Sequence, residues 1–323
     1  MRKPQDNELH FQSLVIDAHV DTTQRLVADG FELGIRHDDG SVDIPRLRQG
    51  GVAAVFFAIW TSGTITGPAA VERAQAQFDA IHRQIAAHPK DLVLARSSAD
   101  VLRARRAGQI ALLIAIEGGH LINNDLAILR RYHSLGARYM TLTHTLNVDW
   151  ADASTDRPLH YGLTDFGTRV IGELNRLGML ADVSHVSDKT FYDVLAASQA
   201  PVAATHSSCR ARCDAPRNLS DEMLRALAAK GGVVHINFHI GFLSQTFRDA
   251  WKQRPELQEE IESFARRLCG ENLACQLLET SRITRERIAL GQLPHVDWTE
   301  IVEHSRERRW HRPCWFGFRF RRR

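Results

Sequence analysis

Imidazoles and carboxylates stand at comparable places in five separate segments of the chain. His19 and Asp21 lie two positions apart in "VIDAHVDT" (15–22), and Glu117 falls in "ALLIAIEGG" (111–119). His144 closes "RYMTLTH" (138–144), His185 closes "LADVSH" (180–185), and His206 lies in "PVAATHS" (201–207). Taken singly, a histidine at the end of an apolar run is more often a hydrogen-bonded structural group than a ligand. Burying so many titratable groups together is costly unless a cation compensates them. Imidazole and carboxylate suit zinc and similar divalent ions, and this many candidate ligands exceed what one tetrahedral catalytic zinc requires. Two metals sharing a bridging carboxylate fit better. In such a pair, about 3.5–4 Å apart, a bridging water becomes a nucleophile while one metal polarises the scissile carbonyl, which predicts hydrolysis.

Residues so far apart in sequence need a framework that brings them to one face. Apolar runs rich in β-branched residues recur at 13–19, 52–60, 111–119, 138–144, 180–185, 201–207 and 232–238. Near-continuous apolarity predicts strands buried on both faces, as in a parallel sheet. Helical patterns separate them, clearest at 67–88 and at 219–232, where Ser220 reads as an N-cap followed by acids in the first turn. Strand–helix alternation predicts an α/β chain, and seven strands predict a (β/α)8 TIM-like barrel with its eighth strand missing. A doubly wound open sheet is the alternative; no run here is followed by a glycine-rich phosphate fingerprint. In a barrel the carboxyl ends of the strands converge, so His19, Asp21, Glu117, His144, His185 and His206 would meet there. The division expected is an N-terminal arm (1–12), a barrel (13–304) with a polar helical excursion over 243–300, and a basic tail (305–323).

Composition narrows the class. The chain of 323 residues is 44% hydrophobic and 24% charged, as expected of a globular protein with a sizeable core. No window reaches the ~18 apolar residues of a membrane helix, and residues 1–12 lack the pattern of a secretory leader, so a cytoplasmic location is expected. Five cysteines are odd in number and few for the length, which argues against a disulfide framework; Cys209 and Cys213 in "CRARC" read as free thiols. The formal charge of +3 is unevenly spread: residues 305–323 carry +7, leaving −4 for the rest. Nucleic acid is therefore not an expected partner of the body.

The segments "DAHVDT", "AIEGGHLI", "LTHTLNVDWADAS", "GLTDFGTRVIGELNRLGMLADVSHVSD" and "ATHSSCRARCDAPRNLSDEMLRALAAKGGVVHINF" resemble the renal or membrane dipeptidase family of metallopeptidases, within the metal-dependent amidohydrolase barrels. The resemblance covers residues 13–240 almost without interruption. It implies a zinc-dependent dipeptidase that cleaves the peptide bond of dipeptides through a metal-bridging hydroxide. It also implies two zinc ions, with His19 and Asp21 on one, His185 and His206 on the other, and Glu117 bridging both. On the same pattern His144 stabilises the oxyanion, Arg217 of "APRNLSD" binds the substrate carboxylate, and a homodimer is a frequent assembly. The alternatives are an amidohydrolase of the same scaffold acting on another amide, and a catalytically impaired metal-binding remnant. Lysine-bridged relatives are excluded, because none of the lysines ends a predicted strand.

The end of the chain departs from this pattern. The family finishes with an eighth strand, "GLGSDFDG" or similar, whose first aspartate is the general acid/base, whereas no aspartate follows Asp297 here. Codons can be chosen for residues 310–322 that read "GTDHVGLGSDFD" in a shifted frame. The expectation is that the tail from about Ser305 is a frameshifted translation, which would leave activity in doubt. A genuine basic tail for an anionic surface is the alternative.

Overall fold

The computed structural model describes residues 4–28 and 30–306. Eight strands form one parallel sheet: β1 (Val15–Val20), β2 (Val52–Trp60), β3 (Leu92–Leu94), β4 (Ile110–Glu117), β5 (Ala137–Thr141), β6 (Leu180–Asp182), β7 (Ala203–Ser207) and β8 (Val233–Ile236). Seven run in the order β1-β2-β4-β5-β6-β7-β8, and the short β3 adds to the start of β4, on residues Ile110–Leu112. Helices between successive strands cover the sheet, giving a nearly closed α/β barrel of the TIM-like type. Every strand predicted from the sequence is present. The unpredicted β3 is a three-residue run, too short to show periodicity.

The reason these segments form strands is visible in β4, "IALLIAIE", which is buried throughout. Its residues alternate between two apolar environments. Leu112, Ile114 and Ile116 join the large core beneath the helices, while Ala111 and Leu113, on the face that also carries Glu117, pack with Ala54, Val101 and Ala104. Small side chains inside and helix Ser98–Arg106 packed against them fill the barrel at its amino-terminal end. Glu117 is thus carried to the opposite, carboxyl end.

The connecting helices begin and end where their sequences require. Ser220 caps helix Asp221–Ala229 by accepting from the Met223 amide, and Thr164 caps Asp165–Leu177 by accepting from Gly167. Gly178 closes the latter helix at φ 69°, a left-handed conformation that favours glycine.

Three details differ from the sequence reading. β5 and β6 stop at Thr141 and Asp182, so His144 and His185 lie on the loops beyond them and not at the strand ends. The excursion resolves into helices Ile240–Leu243, Gln245–Lys252, Pro255–Cys269 and Leu273–Ala289, followed by Thr299–Arg306. Within it Cys269 and Cys275 form a disulfide, while Cys209 and Cys213 are buried thiols outside any disulfide. The pairing follows from the tight turn that joins two antiparallel helices and brings the two Cα atoms to 5.6 Å, which cysteine spacing alone does not reveal.

No described helix is long and apolar enough to cross a membrane. Among the described residues β1 and β8 are not paired with each other and no strand follows β8. The expected frameshifted tail falls, from residue 307 onward, outside the described residues.

Candidate metal centre

The carboxyl ends of the strands bring together the side chains singled out in the sequence. Glu117 is the hub. Its carboxylate is 2% exposed, with Oε1 at 3.2 Å from both His185 Nε2 and His206 Nε2 and Oε2 at 3.3 Å from His19 Nε2. His144 Nε2 lies 3.9 Å from Oε1. The rings of His19 and His206 stack with centroids 3.9 Å apart, and those of His144 and His185 lie 4.6 Å apart. The donor atoms form two groups that share Glu117: His19, Glu117 and His206, and Glu117, His144 and His185.

This grouping differs in three respects from the pairing that the family resemblance implied: His185 and His206, expected on one metal, fall in different groups, with His206 beside His19. Asp21 stands at the rim, 54% exposed, with Oδ1 at 3.5 Å from His19 Nε2 and outside both groups. His144 lies within ligand distance of Glu117 and His185. Asp21 is one residue past β1 and free of the constraint that fixes His19.

The local backbone is built for these positions. Gly118, directly after Glu117, has φ 101°, and a β-carbon there would come within 2.5 Å of His120. At Gly119 a β-carbon would meet the Trp150 ring at 2.2 Å. "EGG" is therefore a close-packing requirement as well as a turn. His185 itself adopts φ 75°, a conformation costing about 1–3 kcal/mol and tolerated where the surroundings over-determine it.

Two hydrogen-bond relays fix the imidazoles, and neither was found from the sequence. The Tyr139 hydroxyl donates to Ala18 O (2.9 Å) and lies 2.8 Å from His19 Nδ1. Its proton is committed, so the network assigns Nδ1 as a donor and leaves Nε2, facing Glu117 and Asp21, as the nitrogen that loses its proton when a metal binds. Similarly, Thr205 Oγ1 donates to Asp182 Oδ2 (2.7 Å) and lies 2.9 Å from His206 Nδ1. Asp182 is fully buried and also accepts from the Thr141 hydroxyl and from Ser184 and the Thr205 amide. Ser184 in turn receives the His206 amide. One carboxylate thus ties β5, β6 and β7 together at the level of the site. The signal in the sequence was an acid inside "LADVSH", a buried run with no other use for it.

The electrostatics are those of an incomplete charge set. Burial pushes the Glu117 carboxyl up, but the His19 charge and the surrounding imidazoles of His185 and His206 hold it well below the usual carboxylate range. Burial, helped by the Arg217 charge, pushes His185 down to about 3, and burial with His19 keeps His206 well below its ordinary value. Burial opposes charging of His19 too, yet Tyr139, Glu117 and Asp21 raise it well above its ordinary value. Neutral imidazole is the form that binds metal. With Nδ1 of His206 used as a donor, its Nε2 is a buried lone pair without a hydrogen-bond partner, facing a carboxylate oxygen at 3.2 Å. Two acceptors in that arrangement need a cation between them. The residues fit a divalent metal.

Arg217 lies beside the cluster, 5% exposed, with Nη2 donating to His206 O at 3.1 Å and the Phe242 ring 5.5 Å away. Its Nε and Nη1 are buried without partners, and burial lowers its pKa to about 10. Arg217 and His185 share a cavity of about 610 Å³.

Other polar groups have structural uses. Asp152 accepts from the amides of Leu159, His160 and Gly162 and so shapes that loop, and Asp149 accepts from Asn124. His120 bonds Thr61 at 3.0 Å.

Comparison with known proteins identifies the family and supports the fold. The chain matches the model of the membrane dipeptidase family, peptidase family M19, over residues 4–287. Dipeptidase 3 of Mus musculus and of Homo sapiens are each 40% identical over 210 residues, which are 63% of this chain and 42% of either relative. The chain thus spans less than half the length of these curated relatives. Among solved structures, the probable dipeptidase PvdM from Pseudomonas aeruginosa superposes with TM-score 0.76 at 23% identity, covering 94% of this chain and 83% of that one. A metallo peptidase from Rhodobacter sphaeroides, liganded with a phosphinate mimic of the dipeptide L-Ala-D-Ala, gives 0.68 at 23% identity, covering 90% and 99%. These two likenesses show the fold. On the extent of the family match, the chain belongs to the membrane dipeptidase family, peptidase family M19.

Proposed function

We propose that the chain is a zinc-dependent dipeptidase, with two zinc ions held by His19, Asp21, Glu117, His185 and His206. The observation that carries this reading is the buried, half-unpaired Arg217 guanidinium in the same cavity as His185 of the cluster. A guanidinium with two free donors is a bidentate receptor for a carboxylate. Placed beside a hydrolytic centre, it selects a substrate whose free carboxylate is one residue from the bond to be cut. A dipeptide meets that condition, and the family match favours it over N-acyl amino acids and longer peptides.

When bound, the metal pair supplies Lewis acidity and an activated water. The protein's own residues do the rest. Arg217 takes the terminal carboxylate and sets the register of the substrate. Glu117 holds the two halves of the ligand set together, and the Tyr139 and Asp182–Thr205 relays keep the Nε2 atoms of His19 and His206 turned inward. His144, whose Nδ1 is buried without a partner, stands at the edge of the cluster as donor to the developing oxyanion. A positioned donor of this kind is worth about 10²–10³ in rate.

Zinc-loaded protein assayed on L-L and L-D dipeptides, tripeptides and N-acyl amino acids tests the reading. Hydrolysis confined to dipeptides supports it. Preference for N-acyl amino acids would replace it with a related amidohydrolase, and stoichiometric zinc without turnover of any amide would replace it with a metal-binding remnant.

A further inference from the structure

The cavity that holds Arg217 carries more positive charge than one carboxylate requires. Arg157 and Arg248 line it as well, against a single acid, Asp156. That acid is already engaged: its Oδ2 accepts from the Asn147 amide at 2.9 Å and its Oδ1 from the Arg157 amide at 2.8 Å. Among the described residues neither Arg157 nor Arg248 pairs with a carboxylate, and Arg248 Nε is buried with no hydrogen-bond partner.

The three arginines come from different elements. Arg217 lies between β7 and helix Asp221–Ala229, Arg157 is on the loop after β5, and Arg248 is on helix Gln245–Lys252. Such convergence from separate segments is unlike a solvated charge run on one helix face. Placing like charges around one cavity is unfavourable until an anion enters. One α-carboxylate, taken by Arg217, leaves two guanidinium groups unmatched.

From this we infer that Arg248 and Arg157 form a subsite for a second carboxylate, and that the chain favours dipeptides whose carboxy-terminal residue is aspartate or glutamate. The inference rests on the dipeptidase reading and adds the substrate class. The carboxy-terminal side chain is the one concerned, because Arg217 fixes that residue's α-carboxylate inside the cavity that Arg157 and Arg248 line. The amino-terminal residue lies across the scissile bond. Arg248, half-buried and with its Nε shielded from water, contributes the larger share, since a charge-assisted hydrogen bond gains strength as water is excluded. Arg157 is exposed and contributes less.

The test uses the full zinc-loaded chain and non-hydrolysable phosphinate analogues of Ala-Asp, Ala-Asn, Ala-Ala and Asp-Ala, with binding read by calorimetry. The Ala-Asp analogue is expected to bind at least about tenfold more tightly than its isosteric Ala-Asn partner. Arg248→Gln should bring that ratio close to one, and Arg157→Gln, at an exposed position that tolerates change, should reduce it by a smaller factor. Equal binding of the Ala-Asp and Ala-Asn analogues would overturn the subsite. So would a ratio unmoved in both variants, or an equal gain for Asp-Ala. Binding of no analogue would instead overturn the dipeptide reading itself, and the subsite with it.

Discussion

The strand-end cluster and the helical segment from Ile240 to Ala289 are held by opposite means. At the cluster, Glu117, Asp182, His185 and His206 are buried: strand register sets Glu117, Asp182 and His206, buried hydrogen bonds tie Asp182 to Thr141 and Thr205 and link Thr205 with His206, and His185 stands on the loop beyond β6 against the Glu117 carboxylate. In the helical segment the polar contacts are Arg–Glu pairs near the surface: Arg266 with Glu259, Arg282 with Glu279 and Glu286, and Arg287 with Glu260. A few apolar anchors such as Phe247 and Ile261, and the Cys269–Cys275 disulfide, hold that segment together. Water competes for every pair in the second region and for almost none in the first. The difference teaches where a single substitution should be felt.

The largest effect is expected at Asp182. Replacing it with asparagine places an amide donor where the Thr141, Ser184 and Thr205 donors converge. It should cost about 1–3 kcal/mol of stability by leaving buried groups unpaired. Because the His206 tautomer depends on Thr205, zinc affinity should also fall about 10–100-fold. Urea melts and competitive zinc titration read the two losses separately; a variant that loses neither would show that the barrel end tolerates as much as the helices do.

A smaller effect is expected at Glu173, on the outer helix Asp165–Leu177, where Arg130 and Arg176 bond its carboxylate at 2.7 and 2.6 Å. The Arg176 and Arg130 hydrogen bonds hold its pKa at about 2, against the ordinary 4.5. A carboxylate with a depressed folded-state pKa stabilises above its unfolded value, and that contribution is lost as pH falls through the folded one. Wild type should therefore exceed Glu173→Gln in stability at neutral pH, and the gap should close between pH 4.5 and about 2. Denaturation at several pH values checks this; a gap that stays constant or widens on acidification would contradict it. The smallest effect belongs to Arg282→Ala, whose two partners are surface glutamates, with a loss of under about 1 kcal/mol that shrinks further in salt.

Much of the barrel was legible because burial leaves a plain record: a strand covered on both faces is apolar along its buried length, as "IALLIAI" (110–116) is. The ligand-type residues were legible because they interrupt such runs at the same end. What was not legible depends on three-dimensional closure. Tyr139 and Asp182 look like ordinary strand residues until the fold sets them against His19 and Thr205. The positions of His144 and His185 beyond their strands depend on where β5–β6 pairing stops, which apolarity alone does not mark. Asp21 matched a ligand pattern in sequence, yet its side chain stands at the rim. The arginines at 157 and 248 lie in loop and helix segments with no periodic signal, and only the cavity joins them to Arg217.

The central claim is that Glu117 and the imidazoles around it form one metal centre. Its most direct test is the metal content of purified, zinc-equilibrated protein by mass spectrometry, for wild type and Glu117→Gln, with circular dichroism confirming that both are folded. Two zinc ions per chain in wild type, and loss of both in a folded Glu117→Gln variant, are the result expected. A folded wild-type chain that retains no zinc, or a variant that keeps the full complement, would contradict the account.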